Sequence, residues 1–489
     1  MDANWFEKPQ LIYRKSAPGR TGFTLPSTEQ DAETILAGIP QRFRRDEDAP
    51  LPEVTEGEAM RHFVGLSVMN HHIDKDFYPL GSCTMKYNPK VNDLAASNPV
   101  FAGYHPLAPC SSAPGILRLM WQLSTDLGEI SGFPSVSLQP VAGAHGEFAG
   151  LLVIRAYHES KGRKRRKIII PDSAHGTNPA SVSAVGFETV QIKSNEQGAV
   201  SPDVVREVID DDIAGMMLTN PNTLGIFETH VQEIAELVHE AGGLMYMDGA
   251  NLNSNMGIFR PGDVGFDVMH FNLHKTFSTP HGGGGPGAGG LGLTAELDRF
   301  QPLPVLERDS EGKLFFNYDR PDSIGRLHSF YGNFANMVRA WAYIRMLGGA
   351  GLSEVSRTAV LNANYLKELL RDDYELPYDR PCMHEFVISG SRQKKLGVRT
   401  LDISKRLLDF GVHSPTNYFP LIVPEAMMIE PTETESRETL DRFAAIMKQI
   451  ASEVADDPDK VTTAPHNTPR RRLDEVAAAR NLDVCFTDQ

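Results

Sequence analysis

Two apolar runs that end in reactive side chains constrain this chain more than any other feature. Gly243-Leu244-Met245-Tyr246-Met247 leads into Asp248-Gly249-Ala250-Asn251. Asp267-Val268-Met269-His270-Phe271-Asn272 leads through Leu273 and His274 into Lys275-Thr276-Phe277. Short apolar runs between polar boundaries predict buried strands. As parallel neighbours they would deliver a carboxylate and an amine to one sheet edge, where open α/β sheets bind ligands. Behind the lysine comes Pro280-His281-Gly282-Gly283-Gly284-Gly285-Pro286-Gly287. A lone Asp after a strand is ordinarily a cap, and a lone Lys is ordinarily solvated. Both at strand ends, with a glycine loop behind, predict a site.

Four successive glycines also suit a nucleotide-phosphate loop. No Gly-Lys-Ser/Thr follows them and no G-x-G-x-x-G opens a helix, so that reading is weak. Pyridoxal phosphate chemistry needs the pair: a lysine to bind the cofactor and a carboxylate to keep its ring nitrogen protonated.

The rest of the chain supports a parallel sheet. Ile168-Ile169-Ile170 ends in Pro171-Asp172-Ser173-Ala174-His175-Gly176-Thr177-Asn178-Pro179, and Ala214 to Leu218 ends in Thr219-Asn220-Pro221-Asn222-Thr223. With the runs into Asp248 and Lys275, four predicted strands terminate in small-residue polar loops with helical segments between several of them. Ala288 to Leu293 predicts the last strand of the sheet. Helical spacing marks Ile116 to Ile130, Phe148 to Ser160 and Val231 to Ala241. Gly143, Ala144 and His145 precede the second of these, where small residues leave backbone N–H groups free for a phosphate; a plain helix start is the alternative. His175, just past a strand, offers a flat imidazole to stack on a planar ring, or is simply satisfied in its loop.

The expected organisation is an extended arm over residues 1–110, a cofactor-binding α/β domain over 111–300, a smaller α+β domain over 301–455 and a C-terminal arm over 456–489. In the smaller domain, helices are expected over Phe334 to Met346, Ser353 to Leu370, Thr400 to Phe410 and Glu433 to Ala455, with a strand at Glu385 to Ser389.

The 489 residues carry 48 basic and 63 acidic side chains, a formal charge of −15, which argues against nucleic acid or an anionic membrane as main partner. No stretch reaches the length of a membrane span. The N-terminus has neither a basic start nor an apolar run, so no signal peptide is expected. Cys83, Cys110, Cys382 and Cys485 are far apart, without metal-type or disulfide spacing, which fits a reducing cytoplasm. His270 and His274 raise the question of a metal. On one strand, four residues span roughly 13 Å, too far for one ion, and no His-Glu-x-x-His pattern accompanies them, so no metal is expected.

Several longer motifs together resemble one family. Tyr78-Pro79-Leu80-Gly81-Ser82-Cys83-Thr84-Met85-Lys86, the Pro171 to Pro179 loop, Thr219-Asn220-Pro221-Asn222-Thr223, Met247-Asp248-Gly249-Ala250-Asn251 and Asn272-Leu273-His274-Lys275-Thr276-Phe277 resemble glycine decarboxylase, the P-protein of the glycine cleavage system, and within it the second subunit of the split bacterial form. The resemblance implies an aspartate-aminotransferase-like, fold type I pyridoxal phosphate enzyme. It would decarboxylate glycine and transfer the aminomethyl group to the lipoyl arm of the H-protein. A first subunit is implied, in a two-plus-two heterotetramer.

By position, Lys275 would carry the cofactor, Asp248 would pair with the ring nitrogen, His175 would stack on the ring and Ala250 would pack behind it. Thr223 would reach the phenolic oxygen. Gly143, Ala144, His145 and His274 would hold the phosphate, and Ser82 and Thr84 would help bind the glycine carboxylate. The Gly282 to Gly285 loop would leave room for the lipoyl arm. The alternatives are another decarboxylase or a desulfurase of the same fold, or a non-catalytic scaffold subunit.

Overall fold

The computed structural model describes residues 10–24, 26–27, 31–47, 49–281 and 287–484. They form two compact units: residues 1–75 with 467–489, and residues 76–466. In the first unit, sequence periodicity gives no sign of the helix Glu56–Val68. A capping box starts it: the Thr55 hydroxyl accepts from the Glu58 N–H and the Glu58 carboxylate accepts from the Thr55 N–H.

The second unit is built on a seven-stranded sheet. In chain order its strands are β1 (Ser135–Ser137), β2 (Lys167–Pro171), β3 (Glu188–Ile192), β4 (Ile213–Thr219), β5 (Leu244–Gly249), β6 (Val268–Asn272) and β7 (Gly289–Leu293), arranged β1-β7-β6-β5-β4-β2-β3. From β6 to β3 every pairing is parallel. The edge departs from the all-parallel expectation: β7 runs antiparallel to β6, and β1, too short to show periodicity, runs antiparallel to β7. Among the described residues the connection from β6 to β7 holds only the short helical turn Leu273–Thr276, and an antiparallel return needs no crossover helix.

Strand side chains alternate between two buried faces, which is why the runs read as continuously apolar. Met245, Met247, Met269 and Phe271 join the core on one face, and Leu244, Tyr246 and Val268 join the core on the other. The second face is covered by the helix Gly143–Ser160, which the sequence placed five residues too late. Its glycines let it lie directly on the strands. A Cβ at Gly143 would meet Asn272 Oδ1 at 2.3 Å, one at Gly146 would meet His270 Cβ at 2.7 Å, and one at Gly150 would meet Tyr246 Cε2 at 2.4 Å.

The later part of the unit adds a hairpin, β8 (Val305–Arg308) with β9 (Leu314–Asn317), and a small antiparallel sheet of β10 (Phe386–Ser389), β12 (Ala426–Ile429) and β11 (Thr416–Asn417). The two helices expected between 334 and 370 follow each other directly over Phe334–Leu370, with a kink at non-helical Gly348 between them. The last expected helix begins later, at Arg437, because Ser436 caps it by accepting from the Thr439 N–H. Leu366, Leu370, Phe386, Ile429, Phe443 and Met447 share the core of this part.

Candidate active site

Parallel pairing places the carboxyl ends of β4, β5 and β6 side by side. Thr219 is the register partner of Asp248, and Asp248 of His270. β6 then runs into a single helical turn, Leu273–Thr276, so Lys275 leaves the sheet at the same edge. A cavity of about 250 Å³ lies there. Lys275, Asp248, Ala250, His175, Thr223, Gly143, Ala144, His274 and Ser82 all line it, with Glu147, Thr177, Thr219, Asn251 and Asn272. His145 and Thr84 do not. The His145 ring turns back, its Nδ1 accepting from the Val141 N–H at 3.3 Å. The 282–285 loop lies outside the described residues. A larger groove of about 730 Å³, lined by Trp121, Arg260, Arg308 and Tyr331 among others, contains neither Lys275 nor Asp248.

Asp248 is buried and heavily partnered. Its Oδ1 lies 3.2 Å from His270 Nε2 and accepts from the Ala250 N–H at 2.9 Å, and its Oδ2 accepts from Asn178 Nδ2 at 3.0 Å. Burial alone would raise its pKa; the adjacent His270 and these hydrogen bonds outweigh burial and hold the carboxyl below the usual range. Burial opposes charge on His270 too, but Asp248 raises its pKa, and His270 Nδ1 sits 2.9 Å from the Tyr246 hydroxyl. The metal alternative looks different once folded, because His270 is on β6 and His274 on the helical turn.

His175 lies in the loop after β2 with Nδ1 2.8 Å from the Thr177 hydroxyl, which in turn donates to Glu147 at 2.8 Å. Burial lowers its pKa, so the ring is neutral at neutral pH. Burial also brings His274 down to about 4, where its Nδ1 lies 2.9 Å from the Ala288 carbonyl. The Thr223 hydroxyl donates to the Ser173 carbonyl. Beneath the lysine, buried Lys86 donates to the Thr276 carbonyl at 2.7 Å, to Asn253 at 2.8 Å and to Glu433 at 2.8 Å, bracing the turn that carries Lys275.

The residues present fit pyridoxal phosphate. The eighteen-residue helix Gly143–Ser160 opens at the cavity with no side chain capping its first N–H groups, and Gly143 has no room for a Cβ. Free N–H groups at a helix start suit a phosphate. Thr219 Oγ1 and Asn272 Oδ1, in lining residues, are buried without a hydrogen-bond partner among the described residues. Lys275 supplies the amine and Asp248 the anion.

Sequence reasoning missed His270, Asn178, Glu147, Glu385 and Glu430. His270 becomes the neighbour of Asp248 only through the register of β5 against β6, which neither run shows alone. The two glutamates, more than a hundred residues downstream, carried no local signal.

Residues 145–284 match the family model described as aminotransferase class-V, and residues 355–470 match the one described as glycine dehydrogenase, C-terminal domain. Among curated relatives, a probable glycine dehydrogenase (decarboxylating) subunit 2 of Chloroherpeton thalassium is 56% identical over 98% of this chain and 97% of its own length. The protein of the same description from Halalkalibacterium halodurans is 56% identical over 96% of each chain. Among solved structures, an inhibitor-bound glycine decarboxylase (P-protein) of the glycine cleavage system aligns with a TM-score of 0.73 at 20% identity, covering 88% of this chain and 100% of that one. A cysteine desulfurase from Thermococcus onnurineus NA1 aligns at 0.60 with 14% identity over 78% of this chain and 95% of its own. At such identities these likenesses speak for the fold, which is the expected fold type I architecture with a C-terminal α+β part.

Proposed function

This chain belongs to the glycine dehydrogenase (decarboxylating) subunit 2 family, and from that premise we propose that it decarboxylates glycine with pyridoxal phosphate and passes the aminomethyl group to the lipoyl arm of a carrier protein. The observation that carries the reading is Lys275 and Asp248 lining one cavity with the uncapped start of the helix Gly143–Ser160. We further propose a first subunit as obligatory partner, a two-plus-two assembly and a cytoplasmic setting.

When bound, the cofactor supplies an electron sink for the carbon that loses carbon dioxide. Lys275 binds it covalently. Asp248, kept anionic by His270, Asn178 and the Ala250 N–H, holds a proton on the ring nitrogen. Gly143 and Ala144 offer backbone N–H groups to the phosphate, with His274, neutral through burial, beside them. His175 and Ala250 would flank the ring, and Thr223, whose hydroxyl here donates to the Ser173 carbonyl, would turn to its phenolic oxygen. Ser82 lines the cavity where a glycine carboxylate is to be bound; Thr84 does not line it, and its N–H donates to Glu430 instead. His145 supports the phosphate loop through Val141.

A desulfurase of the same fold would need a cysteine poised as thiolate. Cys83 is next to Ser82, but burial pushes its thiol up to about 11, with Glu430 and Glu385 adding to this against Lys275. Such a thiol is a poor nucleophile at neutral pH.

The test is release of the glycine carboxyl carbon as carbon dioxide by the purified chain, alone and with its first subunit and a lipoylated carrier. Release that requires all three supports the reading. Release of free methylamine without the carrier would overturn it.

A further inference from the structure

The small sheet carries two acids that none of the assigned roles uses. β10 and β12 pair antiparallel with Phe386 opposite Ile429. One step beyond that pair, Glu385 and Glu430 emerge side by side, with His384 next to them. All three are fully buried. They do not face a void. Glu385 Oε2 accepts the Ser82 N–H at 2.7 Å and Glu430 Oε2 accepts the Thr84 N–H at 2.8 Å. Glu385 Oε1 also takes a longer contact from Asn251 Nδ2 at 3.4 Å. Ser82 and Asn251 line the cavity beside Lys275, so Glu385 stands directly behind two of its wall residues.

The segment they hold is conformationally costly. Ser82 has φ 60° and Thr84 φ 46°, both in the left-handed region that residues with a Cβ avoid. Its approach is fixed by the same sheet: Leu80 bridges to Ile429, Gly81 N–H donates to the Met428 carbonyl at 3.3 Å, and the Thr416 hydroxyl donates to the Gly81 carbonyl at 2.8 Å. A Cβ at Gly81 would meet Met428 Cγ at 2.3 Å. A loop held left-handed at two positions persists only where its surroundings over-determine it. Here the two carboxyl groups supply the acceptors.

We propose that Glu385 and Glu430 are positioning residues that clamp the Ser82–Thr84 loop and thereby set the wall against which the carboxyl group of a small amino acid substrate is bound. The proposal rests on the glycine reading above. A pair of buried anions behind a carboxylate site would repel the substrate, and the surroundings prevent this. Burial, reinforced by Glu430, pushes the pKa of Glu385 well up, and burial brings Glu430 up to about 7. His384 cannot compensate two charges, since burial, with Lys275 nearby, lowers it to about 3. Its Nε2 lies 3.9 Å from Glu385 and 3.8 Å from Glu430, beyond hydrogen-bond reach. The pair therefore keeps at least one proton at neutral pH, and a protonated carboxyl still accepts an N–H through its carbonyl oxygen.

Glutamine copies a protonated glutamate, which gives the test its contrast. Wild type, Glu385→Gln, Glu385→Asp and Glu385→Ala are compared in the holo complex with the first subunit. Amide hydrogen exchange is followed over residues 80–86, and KM, kcat and cofactor absorbance are measured for glycine. Loss of an acceptor at a buried N–H predicts ~10-fold faster exchange and a ~10-fold higher glycine KM for Glu385→Ala, with cofactor absorbance unchanged. Glu385→Asp, one methylene short, shifts both in the same direction, and Glu385→Gln restores both. If Glu385→Ala does not fold, the contrast between Asp and Gln decides. Unchanged exchange in the Asp and Ala variants overturns the clamp. Faster exchange with unchanged KM overturns the substrate-positioning role. A wild-type complex without glycine turnover sinks the reading beneath the proposal, while the exchange data still decide the clamp.

Discussion

Asp248 illustrates how one residue's behaviour comes from its neighbours. A carboxylate buried alone would take up a proton. His270 at 3.2 Å, Asn178 at 3.0 Å and the Ala250 N–H at 2.9 Å keep it charged instead. Asp248→Asn keeps the shape but removes the charge that holds a proton on the ring nitrogen. Cofactor should remain bound while exchange of the glycine carboxyl carbon with bicarbonate falls ~100-fold or more. Near-normal exchange in that variant contradicts the pairing. Asp248 and Lys275 were legible in the sequence because each ends an apolar run, a signal confined to a few residues. Their partners were not. His270 meets Asp248 through the register of β5 against β6, and register is a property of two strands. Glu385 reaches Ser82 across more than three hundred residues, as their 2.7 Å hydrogen bond shows.

At the scale of elements, the helix Gly143–Ser160 and the strands beneath it are fitted by absence of side chains. Gly143 sits where a Cβ would lie 2.3 Å from Asn272 Oδ1. Gly143→Ala must push the helix start away from the end of β6, and with it the N–H groups that face the cavity. Overpacking of this kind predicts ~10-fold weaker binding of pyridoxal phosphate, measured by absorbance titration of the cofactor-free protein. An unchanged dissociation constant would mean that the helix start does not touch the cofactor. Periodicity found the helix but placed its start at Phe148, since Gly143 to Glu147 carry no apolar repeat. The central strands were legible for the opposite reason: burial on both faces makes them apolar throughout. The antiparallel edge was not, because strand direction leaves no mark in composition. β1, β11 and β12 are two to four residues long, below the length at which alternation can be read.

At the scale of the whole molecule, several buried or half-buried glutamates bias stability with pH. Burial brings Glu228, Glu430 and Glu435 up to about 7. A carboxyl with a folded pKa above its unfolded value binds more protons when folded. Its stabilising contribution is full below the unfolded pKa of about 4.3 and is lost as pH rises through about 7. Glu228, which accepts from the Val200 N–H and from Asn222, both at 2.8 Å, lies away from the cavity lining. Glu228→Gln should therefore flatten the decline in melting temperature between about pH 5.5 and 8. A curve parallel to wild type across that window contradicts the assignment. No helix among the described residues is long and apolar enough to cross a membrane.

The proposed chemistry depends on where the cofactor is attached. Reduction of the reconstituted protein with borohydride, followed by peptide mass analysis, reads this directly. The prediction is one pyridoxyl phosphate addition, on the peptide containing Lys275, and its loss with the visible absorbance in Lys275→Ala. An addition on another lysine, or a Lys275→Ala protein that keeps the absorbance, would contradict it.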